Sequence, residues 1–157
     1  GEIEALAKLL YNRDQVFFIG RGLDSAIAYE GSLKLKEISY INSFAIAAGE
    51  LKHGTIALME PGTLVLALAT QDFLYEKMIS NIQEIKARGA HVLSIAKEGN
   101  RAIETQSNEV IYIPPCRDDL SPLLSVVPLQ LFSYYVAKER GCNIDKPKNL
   151  AKSVTVE

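Results

Sequence analysis

Three charged residues on one predicted helix, and one histidine further along, are the side chains of this sequence whose types and spacing suggest chemistry. Glu30, Lys34 and Glu37 follow one another at intervals of four and three residues. At about 100° per residue, this spacing places them in one narrow stripe of a helix. Two carboxylates and an amine so close together either form ion pairs on the shoulder of the helix or line a cleft.

The charged stripe is predicted to run between two apolar flanks. On a helical wheel the flanks are Ile27, Leu35 and Ile38 on one side, and Ala26, Tyr29, Leu33 and Tyr40 on the other. The face predicted to meet water consists of Ser32, Lys36 and Ser39. Because apolar flanks are expected to be buried, the charges between them must be paired or must face a cleft.

His53 is the second candidate for chemistry. It stands between Lys52 and Gly54 in a glycine-flanked turn, where an acid or a base is useful, although a lone histidine is more often structural. His91, at the start of a predicted strand, is assigned a structural role. The two histidines are far apart and predict no metal site, and Cys116 has no obvious base partner that would make it a nucleophile.

Two loops that follow predicted strands are poor candidates for binding a phosphate. Gly20-Arg21-Gly22 lacks the third glycine of a dinucleotide-binding loop, and Asp24 places a negative charge at the helix start, where we expect it to cap the helix. The loop 70–72 also ends in a carboxylate. Neither loop has the serine and threonine cluster that holds a sugar phosphate.

Composition describes a globular domain and excludes several classes of protein. The chain has 157 residues, is 48% hydrophobic and 23% charged, and has a net charge of -2. It shows no basic run typical of nucleic-acid binding, no apolar run long enough to span a bilayer and no signal peptide. Cys116 and Cys142 make no disulfide framework, so we expect the reducing cytoplasm. The chain begins at Gly1 in a helical pattern, which suggests a domain taken from a longer protein.

Strands and helices alternate along the predicted chain. Strands are predicted at 16–19, 44–48, 64–69, 91–96 and 109–113, and helices at the start of the chain, over the charged stripe, over 73–88 and over 121–140. This alternation favours an α/β fold with a parallel, doubly wound sheet of flavodoxin-like order. Ligands of such sheets bind beyond the carboxyl ends of the strands, where the loops 20–24, 49–53 and 70–72 should lie. Residues 142–157 are predicted to form an irregular tail after a domain that spans 1–141.

Four sequence blocks, taken in order, resemble one enzyme family. EGSLKLKEISY (30–40), AGELKHG (48–54), VPLQL (127–131) and DKPKNLAKSVTVE (145–157) are similar to the second sugar isomerase (SIS) domain of the isomerising glutamine–fructose-6-phosphate aminotransferases, or glucosamine-6-phosphate synthases. The resemblance covers nearly the whole chain and implies the SIS fold, a five-stranded parallel sheet between helices. It also implies part of an enzyme that makes glucosamine 6-phosphate from fructose 6-phosphate and glutamine-derived ammonia, with no cofactor.

The resemblance implies roles for the candidate residues. Glu37 matches the glutamate that moves a proton between C1 and C2 of the sugar, and Glu30 and Lys34 match the charged neighbours that set its environment. His53 matches the histidine of sugar ring opening, which in this family reaches the site of the neighbouring subunit. A homodimer is therefore expected.

The tail contributes the last implied site residues. Lys152 matches the lysine that forms a Schiff base with the open-chain ketose, and Ala151 stands beside it as a supporting residue. From composition alone, Lys152 would be taken for a lysine in a frayed tail. Because an imine needs a neutral amine, the lysine must be desolvated or placed beside another cation, and a tail that closes over the sugar would achieve this.

Departures from the family pattern leave part of the site and the function open. Asn42 and Phe44 stand where the family commonly has histidine and glutamate, which puts the strand they enter in doubt. The family's glutaminase domain and its first SIS domain, whose loops hold the sugar phosphate, are not among these residues, so the chain alone should be inactive. Two alternatives remain: an SIS protein that deglycates or deaminates sugar phosphates, and a non-catalytic SIS domain that senses a sugar phosphate in a regulator.

Overall fold

The computed structural model describes residues 1–149, which fold into alternating helices and strands. The strands are β1 (Gln15–Gly20), β2 (Asn42–Ala47), β3 (Leu64–Ala69), β4 (His91–Lys97) and β5 (Glu109–Ile113). The α-helices are α1 (Glu2–Leu10), α2 (Leu23–Ser39), α3 (Tyr75–Lys86) and α4 (Ser121–Glu139). Short 3-10 helices cover Ala48–His53, Thr55–Leu58, Asp72–Leu74 and Ala102–Thr105.

The five strands form one parallel sheet in the order β2-β1-β3-β4-β5, which confirms the predicted flavodoxin-like α/β fold. The central strand β3 is buried along its whole length, and its continuous apolar sequence is typical of a strand covered on both faces. The edge strand β2 forms despite the departures at Asn42 and Phe44. Phe44 pairs with Phe17 of β1, and their rings stack with centroids 5.9 Å apart.

Each face of the sheet packs against its own layer of helices. Alternate residues of a strand point to opposite faces, so Phe18 joins the core under α1, α2 and α4, while Phe17 joins the core under α3 and the 3-10 helices. Within the first layer, α2 and α4 approach closely at Gly31. A Cβ at that position would lie 2.7 Å from Leu129 Cδ1, so the absence of a side chain allows the contact.

The predicted orientation of α2 is wrong in part, although Leu35 is buried and Lys36 is exposed as predicted. Ser32 and Ser39, assigned to the water-facing side, are buried, whereas Tyr29, Leu33 and Tyr40, assigned to a buried flank, are exposed. The small side chains of α2 face the sheet because they let the helix pack closely. Their hydroxyl groups find partners there: Ser32 Oγ lies 3.0 Å from Ser43 Oγ, and Ser39 Oγ donates to Leu35 O at 2.6 Å.

Candidate functional site

The charged stripe of α2 is an ion-paired triad centred on Lys34. Its Nζ lies 2.6 Å from Glu37 Oε2 and 3.8 Å from Glu30 Oε1. The hydrogen bond to Glu37 raises the pKa of Lys34, so the amine carries its charge at neutral pH. The Glu37 side chain remains 26% exposed. The triad therefore holds a carboxylate in a fixed position on an outer face of the domain, where a molecule covering α2 would meet it.

Glu37 lies near the amino ends of the strands, and His53 lies near their carboxyl ends. Glu37 is in the last turn of α2, which returns the chain to the amino edge, where Asn42 N–H donates to Asp14 O at 3.2 Å. His53 follows the carboxyl end of β2. Since β2 has six residues, the two sites are separated by roughly 20 Å along the strand. The structure thus does not bring these two predicted site residues together within one chain.

His53 is largely exposed to solvent in this chain. Its side chain is 74% exposed, and its Nε2 lies 3.9 Å from Glu50 Oε2. It ends the 3-10 helix Ala48–His53 and precedes Gly54, which has φ 140°. An imidazole this exposed on a short helix is accessible to another molecule.

The chain that leads into the tail packs on the end of α2 that bears Glu37. Lys148 N–H donates to the Tyr40 hydroxyl at 2.7 Å, and its Nζ lies 5.3 Å from the centre of the Tyr40 ring. Tyr40 follows α2 directly, three residues after Glu37. Lys152 and Ala151, the predicted tail residues of the site, lie outside the described residues.

The carboxyl edge of the sheet holds a second polar cluster, which begins with Asp24. This carboxylate is 1% exposed and accepts hydrogen bonds from Thr70 N–H at 2.7 Å and from the Thr70 hydroxyl at 2.5 Å. Burial raises the pKa of Asp24, and the two hydrogen bonds from Thr70 oppose this. The prediction that Asp24 caps α2 is wrong, because Gly22 is the N-cap residue and Asp24 turns to the neighbouring strand.

A lysine-centred triad completes this edge, and the sequence analysis missed it. Lys97 Nζ donates to Asp118 Oδ1 at 2.6 Å and to Asp72 Oδ2 at 2.9 Å, and its side chain is 10% exposed. Burial alone would raise the pKa of Asp118, but the hydrogen bond from Lys97 helps to hold it below its usual value. The signal that could have been used is a lysine that directly follows the apolar residues Ile95 and Ala96 of a predicted strand.

A cavity of about 500 Å³ opens beside this triad, and its lysine is already paired. Lys97 is the cation among the described residues that line it, and both of its close contacts are carboxylates of this chain. Tyr75, also in the lining, donates to Asn100 Oδ1 at 3.0 Å. The expectation that the loops at this edge bind phosphate poorly stays a prediction.

The remaining candidates from the sequence are His91 and the two cysteines. His91 Nε2 lies 2.6 Å from Glu109 Oε2 across strands β4 and β5. Cys116 and Cys142 are both free thiols. Within residues 1–149, no cluster of three or more histidine, cysteine or acidic side chains is arranged to hold a metal ion. The helices of this described part include none with the length and apolar character needed to cross a membrane.

The family model for the SIS domain matches residues 9–140 of this chain. The chain belongs to the SIS domain family. This SIS domain is 63% identical over 155 residues to the isomerising glutamine–fructose-6-phosphate aminotransferase of Caldanaerobacter subterraneus subsp. tengcongensis, and the match covers 99% of the chain and 26% of that relative. The resemblance inferred from the four sequence blocks is confirmed.

Two solved structures are similar to this chain. The C-terminal domain of glucosamine-fructose-6-phosphate aminotransferase from Francisella tularensis superimposes with a TM-score of 0.84 at 37% identity, over 92% of this chain and 41% of that one. Glucosamine-6-phosphate deaminase from Thermotoga maritima gives a TM-score of 0.74 at 28% identity, over 99% of this chain and 46% of that one. The SIS domain thus spans about a quarter of the curated relative and less than half of each solved chain.

Proposed function

We propose that this SIS domain is the C-terminal isomerase part of an isomerising glutamine–fructose-6-phosphate aminotransferase. The whole enzyme would convert fructose 6-phosphate and glutamine-derived ammonia to glucosamine 6-phosphate. The observation that carries the proposal is the Glu30–Lys34–Glu37 triad, held on the outer face of α2 with the Glu37 carboxylate partly open. It stands in a chain 63% identical to an enzyme of that name.

Glu37 would act as the base that moves a proton between adjacent carbons of the open-chain sugar. Such a base must stay in one position while the proton leaves one carbon and arrives at the next. The 2.6 Å hydrogen bond from Lys34 gives Glu37 that fixed position. Glu30 is the weaker partner of Lys34, because its Oε1 lies 3.8 Å from Lys34 Nζ. Lys34 and Glu30 would therefore orient the base and set its local charge.

Lys152 would form the Schiff base with the ketose, with Ala151 beside it. The described chain supports this by running to Asn149 along the Tyr40 end of α2. Three further residues span at most about 10 Å. That reach is compatible with a lysine that meets a sugar held over Glu37.

His53 would open the sugar ring in the site of a neighbouring subunit, so we propose a homodimer. Its high exposure and its distance of a whole strand from Glu37 support action in another chain's site rather than in its own. The sugar phosphate would be held by a first SIS domain and the ammonia supplied by a glutaminase domain, both elsewhere in the parent chain. We expect such an enzyme in the cytoplasm.

A chimeric enzyme tests the proposal. This chain replaces the matching segment of the Caldanaerobacter relative, and glucosamine 6-phosphate is measured after incubation with fructose 6-phosphate and glutamine. We expect synthesis, because the replaced segments are 63% identical. A chimera that folds and hydrolyses glutamine but makes no amino sugar would overturn the proposal. A chimera that instead releases ammonia from glucosamine 6-phosphate would support the deaminase alternative.

Borohydride trapping tests the lysine separately. Reduction of the chimera in the presence of fructose 6-phosphate should attach the sugar to Lys152, and peptide mass mapping would locate it. A label on any other lysine would refute the role of Lys152 and leave that of Glu37 standing.

Calorimetry on the isolated chain addresses the sensor alternative. We expect weak or no binding of fructose 6-phosphate, because Lys97 and Asp24 at the carboxyl edge are occupied by partners of this chain. Tight binding would favour a regulatory SIS domain with a phosphate site of its own.

A further inference from the structure

The residue that follows α2 has an unusual backbone conformation. Tyr40 has φ 61° and ψ 15°, in the left-handed region, and its N–H donates to Lys36 O at 3.2 Å. Near the ends of α3 and α4 the same region is taken by glycines, with φ 85° at Gly89 and 69° at Gly141. A bulky side chain adopts this conformation at a cost in free energy, and residues of this kind concentrate at functional sites. A function of the Tyr40 side chain would account for a tyrosine at this position.

The Tyr40 side chain joins the end of α2 to the last part of the described chain. Its hydroxyl accepts the Lys148 N–H at 2.7 Å, and Lys148 Nζ lies 5.3 Å from the centre of its ring. The two residues are 108 positions apart, so the contact is tertiary. A main-chain hydrogen bond at the tip of the ring and a cation over its face together fix the position and the direction of the segment at Lys148.

This contact is closer in sequence to Lys152 than the preceding attachment of the segment. That attachment is at Cys142, whose N–H donates to Ala137 O at 2.9 Å. Among residues 1–149, Lys148 is the last to form a hydrogen bond with the body of the domain. The Tyr40 contact is therefore the last described attachment before the tail residues that are proposed to reach the sugar.

The position of this attachment sets how far the Lys152 amine can range. Lys152 follows Lys148 by four residues and Cys142 by ten. For a flexible tether, the concentration of its free end near a target falls with about the −3/2 power of the tether length. Moving the last attachment from Lys148 back to Cys142 would therefore lower the local concentration of the amine by a factor of about four. Tyr40 comes three residues after Glu37, so the short tether starts beside the proposed base.

We propose that Tyr40 is a positioning residue, which holds the chain at Lys148 so that the Lys152 amine stays concentrated over a sugar at Glu37. The inference rests on the proposed role of Lys152 as the lysine of the Schiff base. Tyr40 itself would touch no reacting atom and would act through the length of free chain that it leaves. The observation that carries the inference is the hydrogen bond to Lys148, made by a tyrosine in a left-handed conformation.

Hydrogen exchange in the isolated chain tests the attachment without any substrate. Tyr40→Phe keeps the ring and removes the acceptor, so the Lys148 amide should exchange about fivefold faster by NMR, the effect expected from one hydrogen bond. Unchanged exchange at Lys148 in this variant would overturn the proposal.

Tyr11→Phe is the matched control for this measurement. Tyr11 also directly follows a helix, and it is 37% exposed where Tyr40 is 39% exposed, but its φ is −62°. Its hydrogen bond with Arg140 Nη1 is made by the main-chain O, which phenylalanine keeps. We expect Tyr11→Phe to leave the exchange of the Lys148 amide unchanged.

Kinetics in the Caldanaerobacter chimera test the consequence for catalysis. Tyr40→Phe should lower kcat for glucosamine 6-phosphate synthesis, and the rate at which borohydride traps the sugar on Lys152, each by a factor of about four. The KM for fructose 6-phosphate should change less than about twofold, because another domain would hold the phosphate. The melting temperature and glutamine hydrolysis should stay at their starting values, as should all of these quantities in Tyr11→Phe. A variant that loses melting temperature and both activities together would overturn the positioning role and make Tyr40 a structural residue.

Tyr40→Gly separates the side chain from the backbone turn. Glycine takes the left-handed conformation without strain, so the end of α2 should keep its shape. Synthesis should fall at least as far as in Tyr40→Phe. Synthesis at the original rate in either variant would overturn the proposal.

The site of the sugar label separates this inference from the proposed function. A label on another lysine of the otherwise unchanged chimera would refute the role of Lys152 and the inference with it. A Lys152 label that forms at an undiminished rate in Tyr40→Phe would refute the positioning role alone and leave the Schiff base standing.

Discussion

Two lysine-centred triads of this domain differ in what surrounds them. Asp72–Lys97–Asp118 lies at the carboxyl edge of the sheet, and Glu30–Lys34–Glu37 lies on the outer face of α2. Each has one short contact of 2.6 Å, but the lysine side chain is 10% exposed in the first and 33% exposed in the second. The first joins three separate segments of the chain, and the second lies within one helix.

From this difference we expect the α2 triad, rather than the edge triad, to be available for chemistry. At the edge, Asp118 also accepts the Asp72 N–H at 2.9 Å, so removing any member leaves other groups without partners. On α2 the triad depends only on helical spacing, and its side chains are partly exposed, so a substrate can approach them. We therefore expect stability to depend on the edge triad and activity on the α2 triad.

The largest expected effect is on activity. In the chimera, Glu37→Gln should lower the rate of glucosamine 6-phosphate synthesis by a factor of about 10² to 10⁴, because the amide cannot accept the proton. The melting temperature and glutamine hydrolysis should stay near their starting values. Asp118→Asn is the reciprocal control: this variant should retain the rate of glucosamine 6-phosphate synthesis but have a lower melting temperature. Sugar turnover at the original rate in Glu37→Gln would contradict the assignment of activity to the α2 triad.

The next largest effect is on stability, where replacing the central lysine of each triad should give losses of different size. Lys97→Met is expected to lower the free energy of unfolding by about 2–4 kcal/mol, because two carboxylates lose the buried cation between them. Lys34→Met should cost about 1 kcal/mol or less, since its partners are open to water. Urea unfolding of the isolated chain measures both. Equal losses would show that burial does not distinguish the triads.

A smaller loss is expected from a single hydroxyl of the edge cluster. Thr70→Val keeps the shape of the side chain but removes the donor to Asp24 Oδ1, which should lower the free energy of unfolding by about 1–3 kcal/mol. Thr105→Val is the matched control, because its hydroxyl donates to Ala102 O on the surface, and we expect a change within about 0.5 kcal/mol. The same thermal or urea measurement serves for both, and a neutral Thr70→Val would place Asp24 outside the stabilising network.

The smallest effect concerns pH. The pKa of Asp118 is lower in the folded than in the unfolded chain, so its ionised form contributes stability that is lost as the pH falls below about 4. The pKa of Asp24 is raised, so its contribution has the opposite sign and falling pH relieves the cost of its buried charge. Asp118→Asn should therefore lose less stability between pH 5 and pH 3 than the unchanged chain, by about 1 kcal/mol or less. Parallel pH profiles of the two proteins would contradict the ion pair with Lys97.

Much of the fold could be predicted because its signals are local. The apolar run 64–69 predicts a strand, and β3 covers these residues. The alternation of strands with helices led to the parallel order that the sheet has. The site was predicted less completely. The spacing of Glu30, Lys34 and Glu37 indicated the triad, but nothing in the neighbourhood of Lys97 indicated that Asp72 and Asp118 would meet it.

By itself, the sequence determined the strands, the helices and the contacts within one helix, because backbone periodicity sets which residues share a face over a few turns. Only the tertiary structure decided which face of α2 is buried, since that depends on the shape of the sheet and of α4 against it. It also decided that Asp24 turns to Thr70 rather than to its own helix, and that Glu37 lies near the amino ends of the strands and His53 near their carboxyl ends. These outcomes depend on the packing of distant segments, and local spacing carries no information about it.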